Sequence, residues 1–442
     1  MLAGHIKDIF HSSVSTVARD ISQYTLNPGR DLVRNRKIPA DKLIAFLVSE
    51  GSASTKNELL DFFGMNPSTL PTASAFNQQR AKLKPDAFEA VFKSFNTNTA
   101  ALENSNGYRC LAADGSTSTF FSNPRFAPDE YFVSEGHSMK GFYSMHLNAL
   151  FDLERHVYTD AVIQPVHCSD EFKAFCYMVD HHDYLPDSKN IFIGDRGYCS
   201  YNNMAHVINK NQFFIFRTKD INRKGLVGAF DFPNHDSFDS LVKVTLVRSQ
   251  SVKLTIDDGY KRFVDKATSF DFIDYGSSDK YELSFRVVRF PLSEGSFECI
   301  VTNLPADEFP PERIKSLYNS RWGIESSFRK LKYTIGLSNL HSLKPDYVKQ
   351  EIWARLIAYN ITETIINSVV VSKNDTMLTY QVNFSVAAHI CRVFLRLCNE
   401  NCIMDVSSLL QRELIPVRDN RHFPRLQTAH FRKPRYFLYR AA

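Results

Sequence analysis

Apolar positions recur with a helical period over the first hundred residues. Leu43, Phe46 and Leu47 form one stripe, and Leu59, Leu60, Phe62 and Phe63 form a second that stops at Gly64. A turn-rich stretch from Asn66 to Pro71 then leads into a polar helix from Ser74 to Leu83. Two short helices joined by a turn suit a helix-turn-helix and suit an ordinary helical hairpin as well. From Tyr108 the texture changes to short apolar runs. Tyr108 to Ala113 reads as a buried strand ending at Asp114, and Asn190 to Gly194 as another ending at Asp195. His146 to Asp152 and Val157 to Ile163 read as strands, Glu171 to Asp180 and Asn202 to Ile208 as helices, and Phe213 to Arg217 as a further strand. This alternation predicts an α/β fold.

Between about Asp220 and Asn303 the helical period disappears. Val242 to Val247, Tyr281 to Val288 and Phe297 to Thr302 alternate as strands, which predicts a β-rich insertion. A long helix is expected from Pro311 to Lys332, with Pro and Glu312 in its first turn and Gly336 just past its end. Helices over Tyr347 to Val370 and Phe384 to Leu397 follow. The expected division is therefore 1–105 helical, 106–219 the first α/β part, 220–303 the insertion, 304–375 the second α/β part, and 376–442 a helical region with a tail.

Charge changes this picture only locally. The 442 residues carry 53 Lys and Arg against 48 Asp and Glu, a mild excess. Arg412 to Arg440, however, holds eight basic and two acidic residues with Phe423, Tyr436, Phe437 and Tyr439 among them. Such a tail suits a phosphate backbone, and suits a solvated terminus equally. No run of about 18 apolar residues is present, so no membrane span is expected. The N-terminus lacks the apolar core of a secretory signal, and the eight cysteines include no CxxC pair, so a reducing, cytoplasmic setting is expected.

Two aspartates at strand ends that share an edge project into one crevice. A single strand-end aspartate is ordinarily a turn former, so the helix around Glu325 carries more weight. At 100° per residue, Tyr318, Arg321, Glu325 and Lys332 fall on a stripe about 60° wide beside the apolar stripe of Leu317, Ile324, Phe328 and Leu331. An Arg321–Glu325 pair on a solvated face explains two of the four residues and leaves Tyr318 and Lys332 unexplained. Phosphodiester chemistry needs an activated water or 3′-hydroxyl and a stabilised leaving oxygen, which two Mg²⁺ ions roughly 3.5–4 Å apart supply. Hard cations favour carboxylate oxygens, and neighbouring Arg and Lys hold phosphates.

Tyr318-x2-Arg321-x3-Glu325-x6-Lys332 resembles the Y-x2-R-x3-E-x6-K motif of DDE transposases of insertion-sequence family four. Asp114-Gly115-Ser116 and Asp195-Arg196-Gly197-Tyr198 look like that family's first and second aspartate motifs. Ser74 to Arg80 and Val301 to Pro305 are similar to further family segments, so the likeness extends over residues from about 20 to 440. It implies an RNase H-like catalytic core with a β-rich insertion in the 130-residue gap between Asp195 and Glu325, a helical DNA-binding N-terminal domain, and a helical, basic C-terminal region. It further implies that Asp114, Asp195 and Glu325 hold two Mg²⁺ ions, or Mn²⁺, that Tyr318 and Arg321 meet phosphates near the element's end, and that Lys332 contacts end DNA. Trp322 stands where relatives carry an aromatic that stacks on bases, although a core Trp fits the sequence as well. Arg217, at a strand end, faces DNA or forms a surface ion pair. The implied activity is cut-and-paste transposition on double-stranded DNA, with terminal inverted repeats and target DNA as partners, a homodimer in the synaptic complex, and a bacterial cytoplasmic location at the nucleoid.

Two readings of other classes compete. A silent or repurposed transposase-derived DNA-binding protein is disfavoured by the presence of all three acids. A glycosidase with an acid pair leaves the Arg/Lys stripe and basic tail unexplained. Cys391, Cys398 and Cys402 lie on one helical stripe but lack a fourth zinc ligand and read as buried small residues. His181-His182-Asp183 reads as a polar helix end, Cys199 has no sequence partner for nucleophilic catalysis, and His137 and His146 lie near the first aspartate.

Overall fold

The computed structural model describes residues 2–34, 37–101, 107–135, 138–184, 188–233, 235–252, 259–293, 295–371, 379–396 and 404–417. The basic tail beyond residue 417, His137, Cys398 and Cys402 lie outside these residues. The N-terminal part is helical: α1 (Leu2–Arg19), α2 (Ala40–Ser49), α3 (Thr55–Phe62), α4 (Ala73–Arg80) and α5 (Asp86–Ala100). Ser54 and Thr72 cap α3 and α4 by accepting the amides of Asn57 and Ala75.

The central part runs β1 (Tyr108–Phe120), β2 (Phe132–Glu135), β3 (Ser138–Asp152), β4 (Val157–Pro165), α6 (Glu171–His181), β5 (Lys189–Gly194), α7 (Tyr201–Asn209) and β6 (Phe213–Thr218). The β-rich stretch supplies β7 (Phe238–Val247), β8 (Tyr260–Phe263), β9 (Lys280–Ser293) and β10 (Ser296–Thr302). Then come α8 (Pro311–Ser320), α9 (Trp322–Lys330), a π-helical turn (Leu331–Ile335), α10 (Pro345–Asn367), β11 (Tyr380–Val382), α11 (Phe384–Arg396), α12 (Val406–Arg412) and β12 (Leu414–Pro416).

One large sheet has the order β2-β3-β1-β5-β6-β10-β9-β7-β8, with β4 also pairing β3. Strands β1, β5 and β6 are parallel neighbours, and β3 is antiparallel to β1. The β-rich stretch extends this sheet: β10 pairs antiparallel with β6, Val301 opposite Phe216. The mixed α/β expectation therefore holds.

Side chains alternate across the sheet. Leu111, Ala113, Phe192 and Phe214 face α6 and α7, where Phe175, Met178, Met204 and Val207 meet them. On the other face, Ala112, Ala149 and Phe151 meet Ile324, Phe328 and Ile357, while Ile191, Ile193 and Ile215 meet Ile314 and Tyr318. Helix α10 is buried nearly all round because α1, α2 and α5 pack on it from outside, with Phe92 and Trp353 5.2 Å apart. No helix among the described residues is long and apolar enough to cross a membrane.

Two local expectations change. Strand β1 does not end at Asp114 but continues to Phe120, because β3 pairs with it from Leu111–Asp152 to Phe120–Tyr143. The helix expected from Pro311 to Lys332 is interrupted at Arg321, where i+3 bonds (Arg321 N to Tyr318 O and Ile324 N to Arg321 O, both 3.1 Å) tighten the turn, and it opens into the π-turn at Leu331.

Candidate active site

The site forms where β1 and β5 part. Their parallel register ends at Ala112 opposite Ile193, so Asp114 and Asp195 stand side by side two residues further on. Both belong to the face that carries α8 and α9, since they continue the alternation of Ala112 and of Ile191 and Ile193. Each carboxylate is oriented by a nearby amide. Asp114 Oδ1 accepts from Gly115 N at 2.9 Å, and Asp195 Oδ1 accepts from Gly197 N at 2.8 Å.

Helix α9 brings Glu325 to the same edge. At Gly323 the helix lies so close that a Cβ would meet Leu153 Cδ2 at 2.8 Å and that side chain would have to shift. Tyr158 and Ser327 pin the next turn through hydroxyls 2.8 Å apart, and Ile324 and Phe328 bury beneath. Arg321, 6% exposed, reaches Glu325 Oε1 at 2.9 Å.

Electrostatics tie these residues together. Burial pushes the Asp114 carboxyl up to about 6; the Gly115 amide and the Arg321 guanidinium pull against this, and the charges of Asp195 and Glu325 add to it. Burial acts against the Arg321 charge, but Tyr318, Glu325 and Asp114 more than restore it and raise its pKa. Arg321 thus bonds Glu325 and acts on Asp114, while the charges of Asp195 and Glu325 act on Asp114 in the opposite sense. An all-oxygen donor set of three carboxylates fits a hard divalent cation, which would offset the repulsion at Asp114.

Tyr318 is buried with its ring 5.8 Å from the Arg321 guanidinium carbon, and burial raises its pKa while Arg321 and Arg217 lower it. Arg217 therefore stands near Tyr318, paired with Glu298 at 2.9 Å. Trp322 is 49% exposed with Arg321 5.4 Å from its ring, which removes the core alternative. Lys332 lies in the π-turn, half-buried, and burial lowers its pKa. The structure brings Asp114, Asp195, Arg321 and Glu325 to one edge, sets Tyr318 and Arg217 near Arg321, and carries Lys332 at the start of the π-turn that follows α9.

The chain matches the family described as Transposase DDE domain over residues 105–361. It belongs to that family. This DDE-family chain is 29% identical over 133 residues to the transposase InsG for insertion sequence element IS4 of Escherichia coli (strain K12), a match spanning 27% of this chain and 29% of InsG. It is 36% identical over 82 residues to the transposase for insertion sequence element IS421 of Escherichia coli, spanning 18% of this chain and 22% of that one. These relatives agree with the family-four resemblance, and each match spans less than a third of the relative's length. A cryo-EM structure of a piggyBac transposase synaptic complex with hairpin DNA aligns with 92% of the chain and 84% of its own, at TM-score 0.44 and 10% identity, too distant to argue from.

The tightest grouping of metal-type side chains among the described residues is elsewhere: Glu50, His341 and Glu351, under the N-terminal helices. Its carboxylates are already answered by cations, Glu351 by Arg80 at 3.0 Å and Glu50 by Arg355 at 3.9 Å. His341 Nε2 faces the Ala53 carbonyl at 3.1 Å. We read it as a structural ion network. Reasoning from sequence missed Glu171, which the fold sets next to Asp195 and Gly115 and which pairs with His146 at 3.1 Å. A glutamate opening a helix carries no sequence signal beyond the dipole preference.

Proposed function

We propose that this DDE-family chain is a cut-and-paste transposase that cleaves double-stranded DNA at terminal inverted repeats and joins the freed 3′-hydroxyls to target DNA. Asp114, Asp195 and Glu325 would hold divalent metal, Mg²⁺ or Mn²⁺, which when bound supplies an activated nucleophile and charge for the leaving oxygen. The chain's own groups do the rest. Arg321, buried and held by Glu325, presents a guanidinium beside the carboxylates and orients a phosphate between them. Tyr318 backs Arg321, and Arg217 adds charge on the same side. Trp322, 49% exposed, would stack its indole on a base, and Lys332 would bring a cation to end DNA.

The observation that carries this reading is geometric: Asp114 and Asp195 follow the parallel pairing of the neighbouring strands β1 and β5 at one sheet edge, on the face where Ile324, next to Glu325, packs against Ala112 and Phe151. The β4-β3-β1-β5-β6 order, with β3 antiparallel among otherwise parallel β1, β5 and β6, supports an RNase H-like core, residues 106–219 and 304–375, with 220–303 inserted. Residues 1–105 are assigned to end binding, residues 376–442 to a basic DNA-following region, and the working form to a homodimer on paired ends. The test is Mg²⁺-dependent cleavage of a DNA fragment bearing the element's own ends. Asp114→Asn and Glu325→Gln should each lose at least about a thousandfold in cleavage while retaining end binding. Undiminished cleavage by both variants rejects the assignment.

A further inference from the structure

Glu171 opens α6 on the face of the sheet opposite α9. His146 Nε2 lies 3.1 Å from Glu171 Oε1 and 3.1 Å from Asn148 Oδ1, and Asn148 donates to Gln164 at 3.0 Å. A polar chain therefore runs from β4 across β3 to the Glu171 carboxylate and fixes its direction.

That direction is toward Gly115 and Gly197, which follow the two aspartates. A Cβ at Gly115 would meet His146 Nε2 at 2.6 Å and Glu171 Oε1 at 2.8 Å, so the residue following Asp114 has to lack a side chain for the pair to lie there. A Cβ at Gly197 would meet Asp195 Oδ1 at 3.1 Å and Glu171 Oε2 at 3.6 Å, so no more than a methyl group's width separates the Glu171 and Asp195 carboxylates. One Glu171 oxygen thus borders the Asp114 strand and the other borders Asp195.

A second observation marks the same spot. Among the described residues the Tyr198 hydroxyl is buried without a hydrogen-bond partner, and its backbone amide donates to the Asp195 carbonyl at 3.0 Å. A buried phenol anchored to Asp195 and left unsatisfied points to a polar occupant of the space beside it. Attraction to the helix dipole accounts for a glutamate in the first turn of α6. It does not account for the histidine clamp, for the two glycines that admit the carboxylate, or for the Tyr198 hydroxyl.

We propose that Glu171 is a fourth carboxylate of the divalent-metal site, facing it from the α6 side of the sheet, with His146 as the residue that positions it. The proposal rests on the metal-site reading of Asp114, Asp195 and Glu325 given above. A further anionic oxygen strengthens the hold on a hard cation, and a hydrogen-bonded histidine fixes its orientation.

The test is Mn²⁺ binding to the purified full-length protein, read as the free-ion electron paramagnetic resonance signal, beside the Mn²⁺ dependence of end cleavage. Glu171→Gln should weaken Mn²⁺ binding about 10- to 100-fold and shift the cleavage curve to higher metal by the same factor. His146→Gln, which keeps the Glu171 charge, should weaken binding less, by a few-fold, and it carries the test if Glu171→Gln does not fold. Wild-type Mn²⁺ affinity in both variants, with Asp114→Asn losing binding, overturns the proposal and leaves the three-carboxylate site standing. A wild-type protein that binds no Mn²⁺ and cleaves no ends overturns the site reading itself, and this proposal with it.

Discussion

The sheet edge around Asp114 and the buried seam between the N-terminal helices and α10 contain the same kinds of side chain in opposite charge balance. In the seam, Glu351, Glu50 and Glu58 face Arg80, Arg355 and Arg396, and each glutamate side chain is at most 4% exposed. Burial works against the Glu58 charge, yet the Gly51 amide and Arg396 hold its carboxyl below the usual range. At the edge, Arg321 bonds Glu325 and acts on Asp114, and burial still pushes the Asp114 carboxyl up to about 6. Closeness alone selects the seam, where Glu50, His341 and Glu351 make the tightest group. Charge balance selects the edge. Paired, dry carboxylates hold a fold together, whereas a surplus of half-exposed ones is a demand for a cation.

The comparison breaks most directly at Arg80. Its guanidinium donates to Gln350 at 2.9 Å, the Tyr347 carbonyl at 2.7 Å and Glu351 at 3.0 Å. Arg80→Ala leaves Glu351 charged and dry, and should cost about 3–5 kcal/mol in urea unfolding. A loss under about 1 kcal/mol would show that the seam is not what fixes these helices to α10.

Asp114→Asn should move stability the other way. The folded pKa of Asp114 lies above its ordinary value of 3.8, so its contribution to stability is fully present below about pH 4 and is lost as pH rises through about 6. A shift of roughly two units is worth about 3 kcal/mol, and partial exposure reduces the expectation to about 1–2 kcal/mol. Metal-free Asp114→Asn should therefore be more stable than wild type at pH 7.5 and equal to it at pH 3.5. Added Mg²⁺ should stabilise the wild type and leave the variant unmoved. A variant less stable than wild type at pH 7.5 would place Asp114 with the seam residues, as a structural group.

What the sequence disclosed follows the same division. The Asp114 and Asp195 positions were legible because each follows a short apolar run that a buried parallel strand requires. Glu325 was legible because the helical period sets it beside Ile324 and Phe328. The continuation of β1 through Ser116 to Thr119 was not, since the apolar run stops at Ala113 and only the pairing with β3 carries the polar residues on as strand. The tightened turn at Arg321 has no Gly or Pro to announce it, and the π-turn that contains Lys332 has no signal either. The Arg80–Glu351 bond spans 271 positions and the His146–Glu171 pair joins a strand to a helix on one sheet face. Both depend on topology that no local pattern encodes.

Trp322 gives the smallest effect on stability and sharpens the contrast from a third side. It is neither matched and dry like the seam nor acidic like the edge, but an indole 49% exposed beside a buried guanidinium. Little packing is lost on truncation, so Trp322→Ala should change the unfolding free energy by no more than about 0.5 kcal/mol. If the exposed indole meets a base, the cost appears only with DNA, at about 1–3 kcal/mol of end affinity, which is roughly tenfold to a hundredfold in Kd. Stacking on a base face is not an ionic contact, so the salt slope of binding should stay as in the wild type. An equal loss in stability and in binding would instead make Trp322 a support for Arg321, and the exposed ring would then belong to the structural side of the molecule.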